Sequence, residues 1–117
     1  MERFTDLEVW KRGCRLTVKV YEALATTREY GFKDQVTRAA LSIPSNVAEG
    51  YDRGSTAEYI QFLNYAKGSC AELRTQLYIG TKIGVVEKAQ SSELIEEAGQ
   101  ITRMLQSMVN TLTNPEP

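Results

Sequence analysis

The stretch Gln35-Val36-Thr37-Arg38-Ala39-Ala40-Leu41-Ser42-Ile43-Pro44-Ser45-Asn46-Val47-Ala48-Glu49-Gly50 decides how the rest of the chain is read. Val36, Ala40, Ile43, Val47 and Gly50 recur every four and then three residues, the spacing of a helix that buries one seam against partners. Pro44 falls inside the run, where it removes a backbone donor and presses on the carbonyl of Ala40, a defect of about 3 kcal/mol in an isolated helix. The apolar phase is nevertheless the same on both sides of Pro44. The pattern therefore predicts one kinked but continuous helix, with Ser42 and Ser45 placed to satisfy the freed backbone groups.

Working outward, three more segments show the same period. Before the run, Thr5 and Glu8 have the spacing of a capping box, and Trp10, Cys14, Thr17, Tyr21 and Leu24 form one stripe. Thr26 to Gly31 reads as a connection. After it, Gly50-Tyr51-Asp52-Arg53-Gly54 is a turn by composition, and Ser55 with Glu58 forms a second capping box. Tyr59, Phe62, Ala66, Cys70, Leu73 and Leu77 are the seam that follows, and Gly84 is a natural left-handed stop. The last helix begins between Glu87 and Ser92, with Leu94, Ala98, Ile101, Leu105, Met108 and Leu112 as its seam. The expected helices are thus 6–25, 32–50, 56–83 and 88–112, with a frayed tail at 113–117, in a single domain over 1–117. Short connections force sequential helices to run antiparallel, so the fold class is all-α, an antiparallel up-down-up-down four-helix bundle. Small residues in the seams, Ala40, Gly50, Ala66 and Ala98, point to close helix approach.

Composition narrows the chemistry. The 117 residues carry 14 Lys and Arg against 15 Asp and Glu, a formal net charge of -1 that gives no general attraction to nucleic acid or anionic membrane. No apolar run approaches the roughly 20 residues that span a bilayer, and Met1 to Asp6 lacks the apolar stretch of a secretory signal, so a cytoplasmic location is expected. Cys14 and Cys70 are then read as reduced, small core residues. The chain has no histidine, which removes Ser-His and Cys-His catalysis, His-ligated zinc and Glu-x-x-His iron sites. No catalytic residue, metal ligand or cofactor is predicted. An enzyme alternative would need a metal held by carboxylates such as Glu49, Asp52, Glu58 and Glu72, acting on a phosphodiester, and no pair of them has diagnostic spacing.

At about 100° per residue, Gln35, Arg38, Ser42, Asn46 and Glu49 fall on one line of the second helix, beside its seam rather than opposite it. Glu58, Gln61, Tyr65, Ser69, Glu72 and Gln76 repeat this arrangement on the third, and Arg53 follows in the turn between. These polar flanks should meet inside the protomer or line a subunit contact. The plainer reading is a hydrogen-bond network, Arg38 with Glu72 or Glu49, that fixes helix register. The functional reading is a groove or channel for a polar ligand, peptide or RNA end, with the Ala40 carbonyl, released by Pro44, as an extra acceptor. On the first helix, Lys11, Arg12, Arg15 and Lys19 lie opposite the expected stripe and are candidate weak RNA contacts. Glu8 and Glu22 share that face, and Glu8 with Arg12 is a favourable i, i+4 pair.

The run from Gln35 to Gly50, followed by Arg53 and Ser55, resembles the signature of the four-helix bundle proteins known as 23S ribosomal RNA intervening-sequence proteins. Leu7-Glu8-Val9-Trp10, Tyr59-Ile60-Gln61-Phe62-Leu63, Ala66-Lys67-Gly68-Ser69, Glu72-Leu73-Arg74-Thr75-Gln76-Leu77 and Met104-Leu105 agree with it, so the resemblance spans nearly the whole chain. It implies a ring-like homopentamer from a family of unsettled molecular function, some of whose members are encoded within intervening sequences of ribosomal RNA genes. A more distant similarity reaches the accessory protein of diversity-generating retroelements, a basic pentamer that binds reverse transcriptase and nucleic acid. This chain departs from it in being slightly acidic. It also lacks the Phe-Pro step that many relatives carry before the second helix. The partners implied are further copies of the chain itself, with an RNA or protein partner as the alternative.

Overall fold

In the computed structural model, which describes residues 2–115, the run around Pro44 is one unbroken helix, α2 (Tyr30–Tyr51). Its seam lies as expected: Val36, Ala40, Ile43, Val47 and Gly50 are all buried. Three further helices accompany it: α1 (Glu8–Ala23), α3 (Thr56–Lys82) and α4 (Lys88–Thr113), with a 3-10 turn over Phe4–Asp6 ahead of α1. Of the expected tail, Thr113 closes α4 and Asn114 follows it, while Glu116 and Pro117 lie outside the described residues.

Consecutive helices pack against one another, α1 closes the square against α4, and neither diagonal pair touches among the described residues. This is the up-down-up-down order, drawn out to 51 × 19 × 19 Å. Leu63, Ala66, Cys70, Leu73 and Leu77 from α3 and Leu94, Ala98, Ile101 and Leu105 from α4 complete the core around α2. Full burial of each such Leu or Ile side chain stabilises by about 1.5 to 3 kcal/mol before chain entropy is counted.

Helix ends follow local chemistry. The Ser55 hydroxyl accepts the Glu58 N–H at 3.2 Å, capping α3. Beyond the other end of α3, Gly84 adopts φ 78°, the left-handed conformation that glycine takes without steric cost. At Gly50 a Cβ atom would stand 2.6 Å from Phe62 Cβ, so only glycine lets α2 and α3 approach this closely.

The first helix departs from its expectation. Its N-cap is Leu7, with no side-chain cap, and the Thr5–Glu8 box does not form; the Arg3 N–H instead donates to Asp6 Oδ2 at 3.0 Å in the preceding turn. The buried face of α1 is Val9, Gly13, Leu16, Thr17 and Val20. Of the expected stripe only Thr17 and Leu24 are buried; Trp10 and Cys14 are half-buried and Tyr21 is exposed. Two apolar stripes were available, and the one with the smaller residues won because it lets α1 lie close to α2. A Cβ on Gly13 would be 3.3 Å from both Cβ and Cδ of Pro44.

Candidate functional site

Pro44 organises the contact between α1 and α2. The carbonyl of Ala40, left without a helical donor by the proline, accepts a hydrogen bond from Thr17 Oγ1 at 3.0 Å, and the same hydroxyl lies 2.8 Å from the Gly13 carbonyl. The acceptor offered to a ligand by the sequence is therefore used inside the protomer. Ser42 and Ser45 do not serve it: Ser42 reaches the Ala39 carbonyl at 2.7 Å and Ser45 is exposed.

The polar flanks of α2 and α3 meet at one point. Ser42 Oγ and Ser69 Oγ are hydrogen-bonded at 2.6 Å, Ser69 donates onward to the Tyr65 carbonyl at 3.2 Å, and Asn46 Nδ2 donates to the Ser42 carbonyl at 2.8 Å. The rest of the flank does not converge. Arg38 is exposed and pairs with Asp34 at 3.1 Å, not with Glu72 or Glu49. Glu49 pairs with Arg53 at 2.8 Å, and Arg53 also reaches Glu58 at 3.6 Å while lying 4.7 Å from the Phe62 ring centre. Gln35 and Glu72 are exposed, and half-buried Gln76 has its Oε1 atom enclosed without a hydrogen-bond partner. Arg38 and Glu49 found nearer partners four residues away, one within α2 and one just past its end, where such spacing costs little ordering entropy.

The stripe of cations on α1 is likewise redistributed. Because the buried face sits one position round from the expected one, Arg12 and Lys19 turn toward α4. Arg12 forks onto Glu97 at 2.9 and 2.6 Å, with both side chains mostly covered, 23% and 29% exposed. This hydrogen bonding outweighs partial burial and holds the Glu97 carboxyl below its ordinary value while raising Arg12 further. Glu8 pairs with Arg15 at 3.5 Å rather than with Arg12, and Lys19 lies 3.6 Å from Glu93. Lys11 alone of the four has no ion pair among the described residues. A net phosphate-binding stripe is not what this side presents: each of the other three cations faces a carboxylate.

The four carboxylates of the metal alternative do not gather. Glu49 and Glu58 share the single cation Arg53, and Glu72 lies fourteen residues from Glu58 along α3, about 21 Å of helix. Among the described residues no three His, Cys, Asp or Glu side chains form a group able to hold a metal ion. Cys70 is buried and Cys14 half-buried, and burial pushes both thiols up, away from the thiolate.

What the sequence reading missed is an apolar surface. Val18, Tyr21 and Leu41 on the α1–α2 side, and Tyr65 and Ile79 on α3 with Ile83 just past its end, are 44% to 56% exposed. Helical spacing places Tyr21 in the expected core stripe and Tyr65 on the polar flank, yet both are exposed. The signal was present in the β-branched and aromatic residues standing at positions that the buried seams leave outside. No helix among the described residues is long and apolar enough to cross a membrane.

Comparison with known proteins agrees with the signature in α2. The family model of the 23S rRNA-intervening sequence protein matches residues 5–107, so the chain belongs to that family. Among solved structures, a protein of unknown function from the S23 ribosomal protein family of Bacteroides thetaiotaomicron has the same fold, with a TM-score of 0.82 at 22% identity over 88% of this chain and 99% of the other. No curated protein sequence matches the chain.

Proposed function

We propose that the protein is a non-enzymatic, cytoplasmic binding scaffold that works as a homo-oligomer, a pentamer in the form its family resemblance implies. The observation that supports this is the exposed apolar surface: large aliphatic and aromatic side chains stand in the open on two sides of a bundle whose core is already complete. Scattered single apolar residues need no explanation, but rows of them at helical spacing mark contacts. Light scattering after gel filtration should give about 65 kDa, five times the 13.1 kDa chain. A clean monomer at micromolar concentration would sink the reading.

Weak RNA binding is the second reading, and the ion pairs argue against its strength. Affinity without base-specific pockets comes mainly from counterion release, and Arg12, Arg15 and Lys19 already face Glu97, Glu8 and Glu93. Anisotropy titration with arbitrary RNA near 150 mM salt should show no tight binding. Sub-micromolar affinity for one defined RNA at that salt would reverse the order of the two readings and return attention to Arg38, Ser42, Asn46 and Glu49.

A further inference from the structure

Helix α4 is flanked by two grooves of opposite charge. On its α1 side Glu93, Glu96 and Glu97 line one groove together with Lys19, and Arg12 reaches in to Glu97. On its α3 side a second groove, of about 470 Å³, is lined by Ala71, Arg74, Thr75 and Tyr78 of α3 and by Ile95 of α4. No carboxylate among the described residues lines it. Its floor is mostly carbon: Tyr78 is 59% exposed, Ile95 is half-buried, and the Thr75 hydroxyl is bonded to the Ala71 carbonyl at 2.9 Å.

Arg74 has no ion pair among the described residues, and neither have Lys67 and Lys82, seven residues before it and eight after on the same side of α3. Lys67 Nζ donates to Gln106 Oε1 across the α3–α4 seam, and Lys82 Nζ lies 5.4 Å from the centre of the Tyr78 ring. The carboxylates of these two helices are placed elsewhere. Glu58 pairs with Arg53, and Glu72 shares the side of Ser69, which is bonded to Ser42 of α2. Glu93, Glu96 and Glu97 are paired with Lys19, Arg103 and Arg12. Where the loop enters α4, the N-cap Glu87 is followed by Lys88, so that end adds no net charge. A chain of net charge -1 thus gathers three unopposed cations along one apolar groove.

We propose that this groove docks an acidic amphipathic helix of a partner protein, whose apolar side chains enter against Tyr78 and Ile95 while its carboxylates pair with Lys67, Arg74 and Lys82. This deepens the binding-scaffold reading and rests on it, but not on the number of copies. Charge and spacing choose the occupant. Cations seven and eight residues apart stand about 10 to 12 Å apart along the helix axis, and a helix lying alongside presents the same face again every two turns, about 11 Å. Glu or Asp at that interval, with Leu or Ile between, meets both the cations and the groove. Nucleic acid meets only the cations; three of them release too few counterions for tight binding, and the apolar floor goes unused. A second copy brings no matching acidic row, since the carboxylates of the other groove are already paired within the protomer.

The test uses the full chain and a labelled helical peptide of about 20 residues, about 30 Å long, with Leu at alternating third and fourth positions and Glu at seven-residue intervals beside them. Its companions are the same peptide with Ser for Leu, the same peptide with Lys for Glu, and polyuridine RNA. Anisotropy near 150 mM salt should show saturable binding of the acidic Leu peptide alone. Arg74→Glu combined with Lys82→Glu, and separately Tyr78→Ser, should each weaken that binding by about tenfold or more. These positions are exposed, so circular dichroism and the mass from light scattering should stay those of wild type. Should the double charge reversal lose helix, Arg74→Gln takes its place with the same direction of effect. Absence of binding by the acidic Leu peptide, equal binding by the Ser peptide, or unchanged binding in the variants would overturn the proposal. RNA bound in its stead and released by the same variants would make this a nucleic-acid face, and variants that fall to protomer mass would make it a contact between copies; either result overturns the helix partner. Mass is read without peptide, so the self-assembly reading and this one can fail separately.

Discussion

Helix α1 is held on its two sides by opposite means. Against α2 the contact is dry and close, Gly13 under Pro44 and the Thr17 hydroxyl on the Ala40 carbonyl. Against α4 it is charged and partly wet, with Arg12 forked onto Glu97 and Lys19 within 3.6 Å of Glu93. The first depends on shape and on one buried polar pair that water cannot replace. The second depends on charges that salt and acid can reach. The difference teaches where this bundle tolerates change: a side chain added to the α2 side has nowhere to go, whereas one altered on the α4 side can be rehydrated.

The largest expected effect therefore comes from Gly13→Leu. Its Cβ would already stand 3.3 Å from two atoms of Pro44, and the branch beyond must push α1 off α2. A loss of about 3 kcal/mol is expected in urea unfolding, with the gain in helix propensity over glycine offsetting part of the overpacking. Thr17→Val comes next. It keeps the shape and removes the donor, leaving a buried carbonyl that Pro44 has already deprived of its helical partner, so about 2 kcal/mol should be lost. An unchanged unfolding midpoint for Thr17→Val would show that the Ala40 carbonyl is satisfied by another route.

On the other side, Glu97→Gln should cost about 1 kcal/mol near neutral pH, since the pair is largely covered but can be rehydrated. The pH dependence fixes its origin. Glu97 has a folded value below its unfolded one, so its contribution is fully present above the unfolded carboxyl value of about 4.3 and is lost as pH falls through the folded value. The difference between wild type and Glu97→Gln should accordingly shrink toward zero on acidification below that range. A difference that stays constant with pH would point to lost packing instead of lost charge. The smallest effect is expected from Glu93→Gln. Its ion pair is 3.6 Å long with both side chains more than half exposed, and thermal unfolding near 150 mM salt should move by less than about 0.5 kcal/mol.

The fold was legible because it rests on periodicity, and the seams of α2, α3 and α4 keep one phase through their middle turns. Leu63 rather than Phe62 is buried at the start of α3, however, and Val109 is buried where Met108 and Leu112 are half-buried. The α1 seam was misjudged because Trp10, Cys14 and Tyr21 offer a stripe as regular as Val9, Leu16 and Val20. Hydrophobicity alone favoured the larger side chains. Choosing between the two requires knowing that Pro44 lies across the contact and that Gly13 must pass beneath it. The polar flanks were legible as faces but not as pairs. Arg38 to Asp34 is a local bond within α2 and Glu49 to Arg53 a local bond across its C-terminal end, and helical spacing does not say which of several reachable carboxylates a long side chain will choose.

The amino-acid order by itself determined four amphipathic helices, their antiparallel sequence, a seam that runs unbroken through Pro44, and a family signature from Gln35 to Gly50. Tertiary structure alone decided which face of α1 is buried, that Thr17 answers the carbonyl Pro44 exposes, and that Arg12 belongs to Glu97. The physical reason is the range of the forces involved. Periodicity and capping act within about one or two turns and are written in neighbouring residues. Close approach, buried carbonyls and interhelical ion pairs depend on residues 23 to 85 positions apart, and these meet only when the bundle closes.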